Sequence, residues 1–351
     1  MSAGRARAVR LLLPLGAPLL AVLLALAAGA LFILAIGEHP VEIYGLMLSQ
    51  SLGTGYGLGQ TLFKATPLIF TGLAVALGFR CGLFNIGVEG QLYLGGFAAA
   101  LAGLAMKSAP PLIALPVALA AAALAGGAWG AIPGVLKARF GAHEVINSIM
   151  LNFIAMALVS YAGHGLFQHA TVRTAEIAPA AALPRLDALA PALRGSPANA
   201  ALGLAVLVAL AVGVLLFRTR LGYELRAVGW NAPAAEYGGV SIGRTQALAL
   251  ALSGAVAGLG GCNFVLGYKH WFELGFSGGV GFLGIAVALL GRNHPIGVIV
   301  AALFFGALSY GGLVINQRVP RELVEVLQAL VILLAIGSQQ VLERVARRMQ
   351  A

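Results

Sequence analysis

Asn85 and Glu89 stand four residues apart in the run Phe84-Asn85-Ile86-Gly87-Val88-Glu89-Gly90-Gln91, with Tyr93 one step further. On a helix that spacing places a carboxylate, an amide and an aromatic ring on one face. Two kinds of chemistry suit the set: loose recognition of a polar, planar ligand, or a hydrogen-bonded brace between helices. The run lies inside a stretch apolar enough to cross a bilayer, where an ionisable group is costly and usually marks a pathway or a buried partner. Gly87 and Gly90 point to a helix that is broken or closely approached there. Phe84, Asn85, Glu89, Gln91 and Tyr93 are therefore candidate substrate-pathway residues. A second polar set, Ser148, Asn152, Ser160, His164 and Gln168, recurs at multiples of four and winds slowly around one apolar span. It either lines a cavity or pairs with neighbouring helices. Lys64, near the end of another span, reads as a side chain reaching for the interface, with ligand contact as the alternative.

Other chemistries have no support in the sequence. None of the lysines at 64, 107, 137 and 269 ends a GxxxxGK[ST] phosphate loop, so this chain is not expected to hydrolyse ATP. No HExxH and no metal-spaced His/Cys cluster is present. Cys81 and Cys262 are far apart and form neither a disulfide framework nor a CxxC site. A catalytic residue, a bound metal or a cofactor is accordingly not expected.

The elements that must position these residues are apolar helices. Of 351 residues, 60% are hydrophobic and 10% charged, with a mean hydropathy of +0.93. A crossing takes about 20 residues, and ten such spans fit: 11–36, 60–79, 83–104, 112–136, 145–168, 199–217, 247–268, 276–291, 296–315 and 323–342. The first is too long for the apolar core of a cleavable signal and reads as a retained anchor. The net charge of +10 is spread over loops and termini with no basic, aromatic-studded face, which argues against nucleic acid. Ten spans put both termini on one side, and that side collects about twice as many Lys and Arg as the other, so both ends are expected in the cytoplasm. The expected organisation is a short tail over 1–10, one transmembrane domain over 11–342 and a basic tail over 343–351.

Two loops stand out. Gln168–Ala198 is rich in Pro and Ala and falls outside. The loop over 218–246 falls inside, and within it Ala232–Tyr237 reads as a short helix, with Asn231 as its N-cap and Gly238-Gly239 as its stop. Ten spans divide into two sets of five, the second inverted relative to the first. Spans three and eight then correspond, and both are interrupted by glycines, which points to a transport site. Gly126, Gly130 and Gly134 lie four apart, as do Gly254 and Gly258, and allow backbones to approach closely, within one subunit or between two.

The segments Gly72–Leu77, Gly82–Gln91, Glu144–Asn152, Leu225–Gly239, Gly281–Gly291 and Pro295–Gly306 together resemble the permease subunits of bacterial ABC importers for nucleosides, within the group that includes simple-sugar and branched-chain amino-acid permeases. The resemblance covers roughly residues 60 to 340. It implies an all-helical, type II importer permease fold in the bacterial inner membrane. It also implies a second permease of different sequence, cytoplasmic ATPase subunits that bind ATP and Mg, and an extracytoplasmic substrate-binding protein. It adds Asn147 and Asn152 to the pathway. Ala232–Tyr237 becomes the helix that docks in a cleft of the ATPase, with Arg226, Gly229, Asn231, Ala235, Glu236 and Gly238 as coupling residues. Two alternatives remain open: a sugar or branched-chain amino-acid permease, and an ion-coupled secondary transporter with Glu89 as proton carrier.

Overall fold

Lipid offers nothing to backbone N–H and C=O groups, so an apolar chain that stays in a bilayer must pair them internally. The computed structural model describes residues 3–168, 171–320, 322–334 and 337. Among them there is no strand, only isolated bridges between loops. The helices are α1 (Ala3–Ile36), α2 (Pro40–Leu52), α3 (Gly55–Arg80), α4 (Val88–Ala105), α5 (Pro111–Phe140), α6 (Glu144–Gly163), α7 (Ala201–Arg218), α8 (Arg220–Trp230), α9 (Ala232–Tyr237) and α10 (Ile242–Gly260). After α10 the chain continues through α11 (Cys262–Phe264) and a π turn at Val265–Lys269 to α12 (Val280–Leu290) and α13 (Pro295–Ile315). A last helix, α14, covers 322–334. The rest of the tenth expected span and the basic tail lie outside the described residues.

Seven helices among the described residues are long and apolar enough to cross a membrane. The chain is a multi-pass helical membrane protein. α3 lies at its centre, with Ala65 through Gly78 all buried. Around it pack α7, α10, α12 and α13. α12 departs from the expected span over 276–291. It has 11 residues, which at 1.5 Å each make about 16 Å, roughly half a hydrocarbon core. The residues before it are an irregular approach, not helix.

The glycine repeats are spent within the chain. Gly126 and Gly130 of α5 face Gly254 and Gly258 of α10 so closely that a Cβ on any of them would meet the opposing backbone. Two helices were not expected. α2 lies outside the long spans and α8 is amphipathic, with Leu225 and Val228 buried and Tyr223 exposed. Its polar residues and two glycines make it read as loop, yet Thr219 caps it by accepting from the Gly222 amide at 3.1 Å. The tail expected over 1–10 begins α1 at Ala3.

At the end of the bundle opposite α9, Arg318 bridges Glu38 at 2.7 Å and Glu42 at 2.6 Å, tying the start of α2 to the turn after α13. The hydrogen bond and charge of Arg318 hold the Glu42 carboxyl below its ordinary value. A lowered folded value means this support is present above the ordinary carboxylate range and is lost as pH falls through the lowered value. Amide exchange in α2 should therefore quicken only under strongly acidic conditions, and Arg318→Met should remove that pH dependence.

Candidate functional site

After Arg80 the chain does not leave the bundle. Gly82, at φ 72°, turns it, and 83–87 run back inward as irregular backbone to the start of α4. Such backbone is tolerated in a membrane protein only where protein groups satisfy it, and the polar residues of the run do this. Asn85 accepts from the Gly87 amide at 3.0 Å and donates to Gln91 at 2.9 Å and to Ser253 at 2.8 Å. Ser253 in turn donates to the Ala74 carbonyl of α3. Asn152 of α6 accepts from the Gly90 amide at 2.8 Å and donates to the Ile86 carbonyl at 2.9 Å. Ser148 accepts from the Ile86 amide at 3.3 Å. The two sequence-predicted polar sets thus meet: the α6 stripe caps the N-terminus of α4. The α6 stripe ends sooner than its spacing implied, because α6 stops at Gly163.

Glu89 serves a second helix N-terminus. Its carboxylate accepts from the Ser277 hydroxyl at 2.5 Å, the Gly279 amide at 3.3 Å and the Gly281 amide at 2.6 Å. The last two are unpaired first-turn donors of α12, where a negative group also meets the favourable end of the helix dipole. Gly278 and Gly279 approach α12 at φ 56° and 83°, a region that disfavours other residues. Gly281 abuts the backbone of Glu89, where a Cβ would fall 2.5 Å from its amide nitrogen. Two broken elements therefore meet with their N-termini together, held by one carboxylate.

The remaining pathway candidates are placed differently. Tyr93 accepts from the Gly275 amide at 2.9 Å and stacks on Phe276, with centroids 5.3 Å apart. Phe84 is half-buried against Phe79, 5.0 Å between centroids. Asn147 is half-buried, and its side-chain amide nitrogen is buried without a partner.

Beside the α12 approach lies a cavity of about 510 Å³, within the range of small-molecule sites. Lys64, Pro67 and Leu68 of α3, Phe264, the stretch Phe276–Val280 with Phe282 and Leu283, and residues of α13 and α14 line it. None of the pathway residues named from the sequence is among its lining residues. Ser309, Glu325 and Gln328, which are, carry no sequence signal beyond being polar residues in apolar spans. Lys64, read as an interfacial lysine, is in its wall.

At the opposite face of the α12 break, α9 forms as expected. Asn231 caps it by accepting from the Ala234 amide at 3.1 Å, and Gly239, at φ 84°, ends it. Ala235 is buried, while Glu236 and Gly238 are exposed. Arg226 lies on α8 with its guanidinium 5.5 Å from the Phe217 ring, and Arg80 lies at the same distance from that ring. Gly229 touches the backbone of Arg80 and Gly82, and Arg80 donates to the Asn293 carbonyl at 3.0 Å, in the turn that ends α12. Trp230, the last residue of α8, and Tyr237, the last of α9, which the sequence did not single out, are 93% and 98% exposed.

Irregular backbone held inside an apolar bundle by capped half-helices, next to a cavity of solute size, is the construction of a membrane permease. Comparison with known proteins gives the family. The chain belongs to the family described as branched-chain amino acid transport system / permease component, which it matches over residues 57–336. It is 42% identical to a guanosine ABC transporter permease of Bacillus subtilis, over 92% of each chain. It is 40% identical to a glucose ABC transporter permease of Haloferax volcanii, over 95% of this chain and 90% of that one. A nucleoside ABC transporter permease of Lactococcus lactis is 35% identical, over 90% of this chain and 88% of its own. Second permeases named for guanosine in Bacillus subtilis and for nucleosides in Lactococcus lactis also match, at 30% and 27% identity. No solved structure matches the chain.

Proposed function

We propose that the chain is the membrane-spanning permease subunit of an ATP-binding cassette importer, and that the solute it carries is a nucleoside. The observation that carries this reading is similarity over nearly the whole chain to permeases named for guanosine and for nucleosides. The two permeases found in each of those organisms support a pair of unlike chains here. The glucose permease of Haloferax volcanii supports a second reading, a sugar importer of the same architecture.

The ATPase subunits that bind ATP and Mg dock on the α8–α9 hairpin; the excess of Lys and Arg on its side of the bundle supports a cytoplasmic position for it and for both termini, in a bacterial inner membrane. Trp230, which ends α8, and Tyr237, which ends α9, are the anchors, since both are almost fully exposed and large aromatics are the side chains that most often dominate an interface. Glu236 and Gly238 join them at the docking face, with Asn231 and Ala235 shaping the helix. Movement of the hairpin passes through Gly229 to the 81–87 turn and, by way of Arg80, to the end of α12. Asn85, Glu89, Gln91, Asn152 and Tyr93 keep the pathway wall in shape, and Phe84 and Asn147 flank it. Alternating access follows when ATP binding favours one of two arrangements of this hinge. A binding protein delivers solute to the opposite end.

Uptake into proteoliposomes holding the chain with its companion permease, ATPase and binding protein tests the reading. Internal ATP should drive entry of guanosine and not of glucose, ribose or leucine. Glucose entry would establish the sugar reading instead, and entry that needs only an ion gradient would discard the importer. Replacing Trp230 and Tyr237 together by Ala should lower uptake at least about tenfold, the loss of roughly one anchor contact. Unchanged uptake would remove α9 from the coupling route.

A further inference from the structure

We propose that the cavity beside the α12 approach is the solute site of this permease, and that it recognises an uncharged molecule joining a flat heteroaromatic ring to a hydroxylated group. This rests on the reading of the chain as a nucleoside importer permease and assigns that solute to particular residues. The cavity, about 510 Å³, holds such a molecule with room for water. Three aromatic rings, Phe264, Phe276 and Phe282, line it. Phe276 is held by its neighbours: Tyr93 stacks on it with the planes 15° apart, and Phe264 and Phe272 meet it edge-on, each 5.3 Å between centroids. A ring held this way offers a stacking surface without losing side-chain freedom when ligand arrives.

Also in the wall, Gln328 of α14 donates to the Ser309 hydroxyl of α13 at 3.1 Å. An amide has two donors and an acceptor oxygen, and this bond uses one donor. The same group can therefore pair with the mixed donor and acceptor edge of a heterocycle. Lys64 and Glu325 add one charge of each sign to the wall, so it carries no net charge to select an anion such as a nucleotide.

The site is also joined to the hinge. Ser277 and Gly279 line the cavity and hand their hydroxyl and amide to Glu89. Solute pressed against this stretch acts directly on the held N-terminus of α12.

Thiol labelling of Ser309→Cys in the reconstituted four-component complex tests the assignment. The native Cys81 and Cys262 are buried, so on this chain, resolved from its companions by gel, the reagent reads the introduced thiol. Saturating guanosine should slow labelling at least fivefold, while ribose and leucine leave the rate unchanged. Guanosine that is carried by the wild-type complex yet gives no protection would overturn the cavity as its site. Protection by ribose or leucine in its place would overturn the ring-recognising chemistry. A wild-type complex that carries no nucleoside would overturn the importer reading and this assignment with it. Gln328→Ala gives an independent measure in the same liposomes: the KM for guanosine should rise about tenfold, against an unchanged KM for Ser49→Ala on the exposed part of α2. Equal KM values in the two variants would also overturn the assignment.

Discussion

Replacing Glu89 by Ala should abolish uptake and lower the unfolding temperature of the detergent-solubilised protein. The substitution leaves the Ser277 hydroxyl and the Gly279 and Gly281 amides without their acceptor. Each buried donor left unpaired costs about 1–3 kcal/mol, so a loss on the order of 3 kcal/mol is expected. Glu89→Gln is the more informative variant. Its oxygen can still accept from one amide, but its NH2 group faces donors where the second carboxylate oxygen stood. Stability between wild type and Glu89→Ala is expected, with uptake reduced in step. The rival reading, in which Glu89 carries a proton for an ion-coupled transporter, makes a different forecast. Glu89→Gln would then unfold like wild type and fail to transport, and an uncoupler would stop uptake by the wild-type protein. Thermal unfolding and uptake measured on the same preparations separate the two.

Gly254→Val should be as damaging from a place with no polar chemistry at all. A Cβ at Gly254 would sit inside the van der Waals envelope of the Gly126 carbonyl, and also only 3.0 Å from the Gly130 Cα. The obstruction is backbone, which cannot rotate away as a side chain can, so α5 and α10 must separate along their shared seam. Overpacking of this kind costs typically 1–3 kcal/mol, and here it also opens a seam held only by close backbone approach. Loss of folded yield and of companion-permease assembly on size-exclusion chromatography is the expected outcome. Gly203→Ala on α7 is the matched control. Nothing lies within 4 Å of the added methyl, and Ala in a helix interior is better than Gly by up to about 1 kcal/mol. Equal yields from the Gly254 and Gly203 variants would contradict the packing described.

The fold was legible to the extent that it followed from lipid. The apolar runs could be read as helices because a bilayer leaves the backbone little choice. α9 was legible for a local reason, since an Asn cap, six helix-compatible residues and a Gly-Gly stop are encoded within one stretch. α8 was not, because its helical pattern is carried by a few buried residues whose burial depends on α7 and α10. The half-length of α12 was legible in part: its span is short and carries Gly278, Gly279, Gly281 and Gly284, but only the turn at Gly278-Gly279 and the acceptor from Glu89 decide where helix begins.

The candidate site divides the same way. Residue type and spacing singled out Asn85, Glu89 and Gln91, because an ionisable and amide-rich run in an apolar span is rare on energetic grounds alone. Sequence left open whether they bind solute or brace the bundle, since both uses need the same groups. Tertiary structure brought Ser148 and Asn152 to one side of the run and Ser277 to Gly281 to the other, over nearly two hundred residues of sequence, and so engaged its polar atoms with backbone. The cavity owes still more to the fold. Ser309 and Gln328 are single polar residues on separate helices that nothing local marks, and Lys64 stands out in the sequence only as a charge at the end of a span. A helix reveals in sequence what its own neighbours along the chain require, whereas a cavity exists only between helices whose positions are set by packing across the whole bundle.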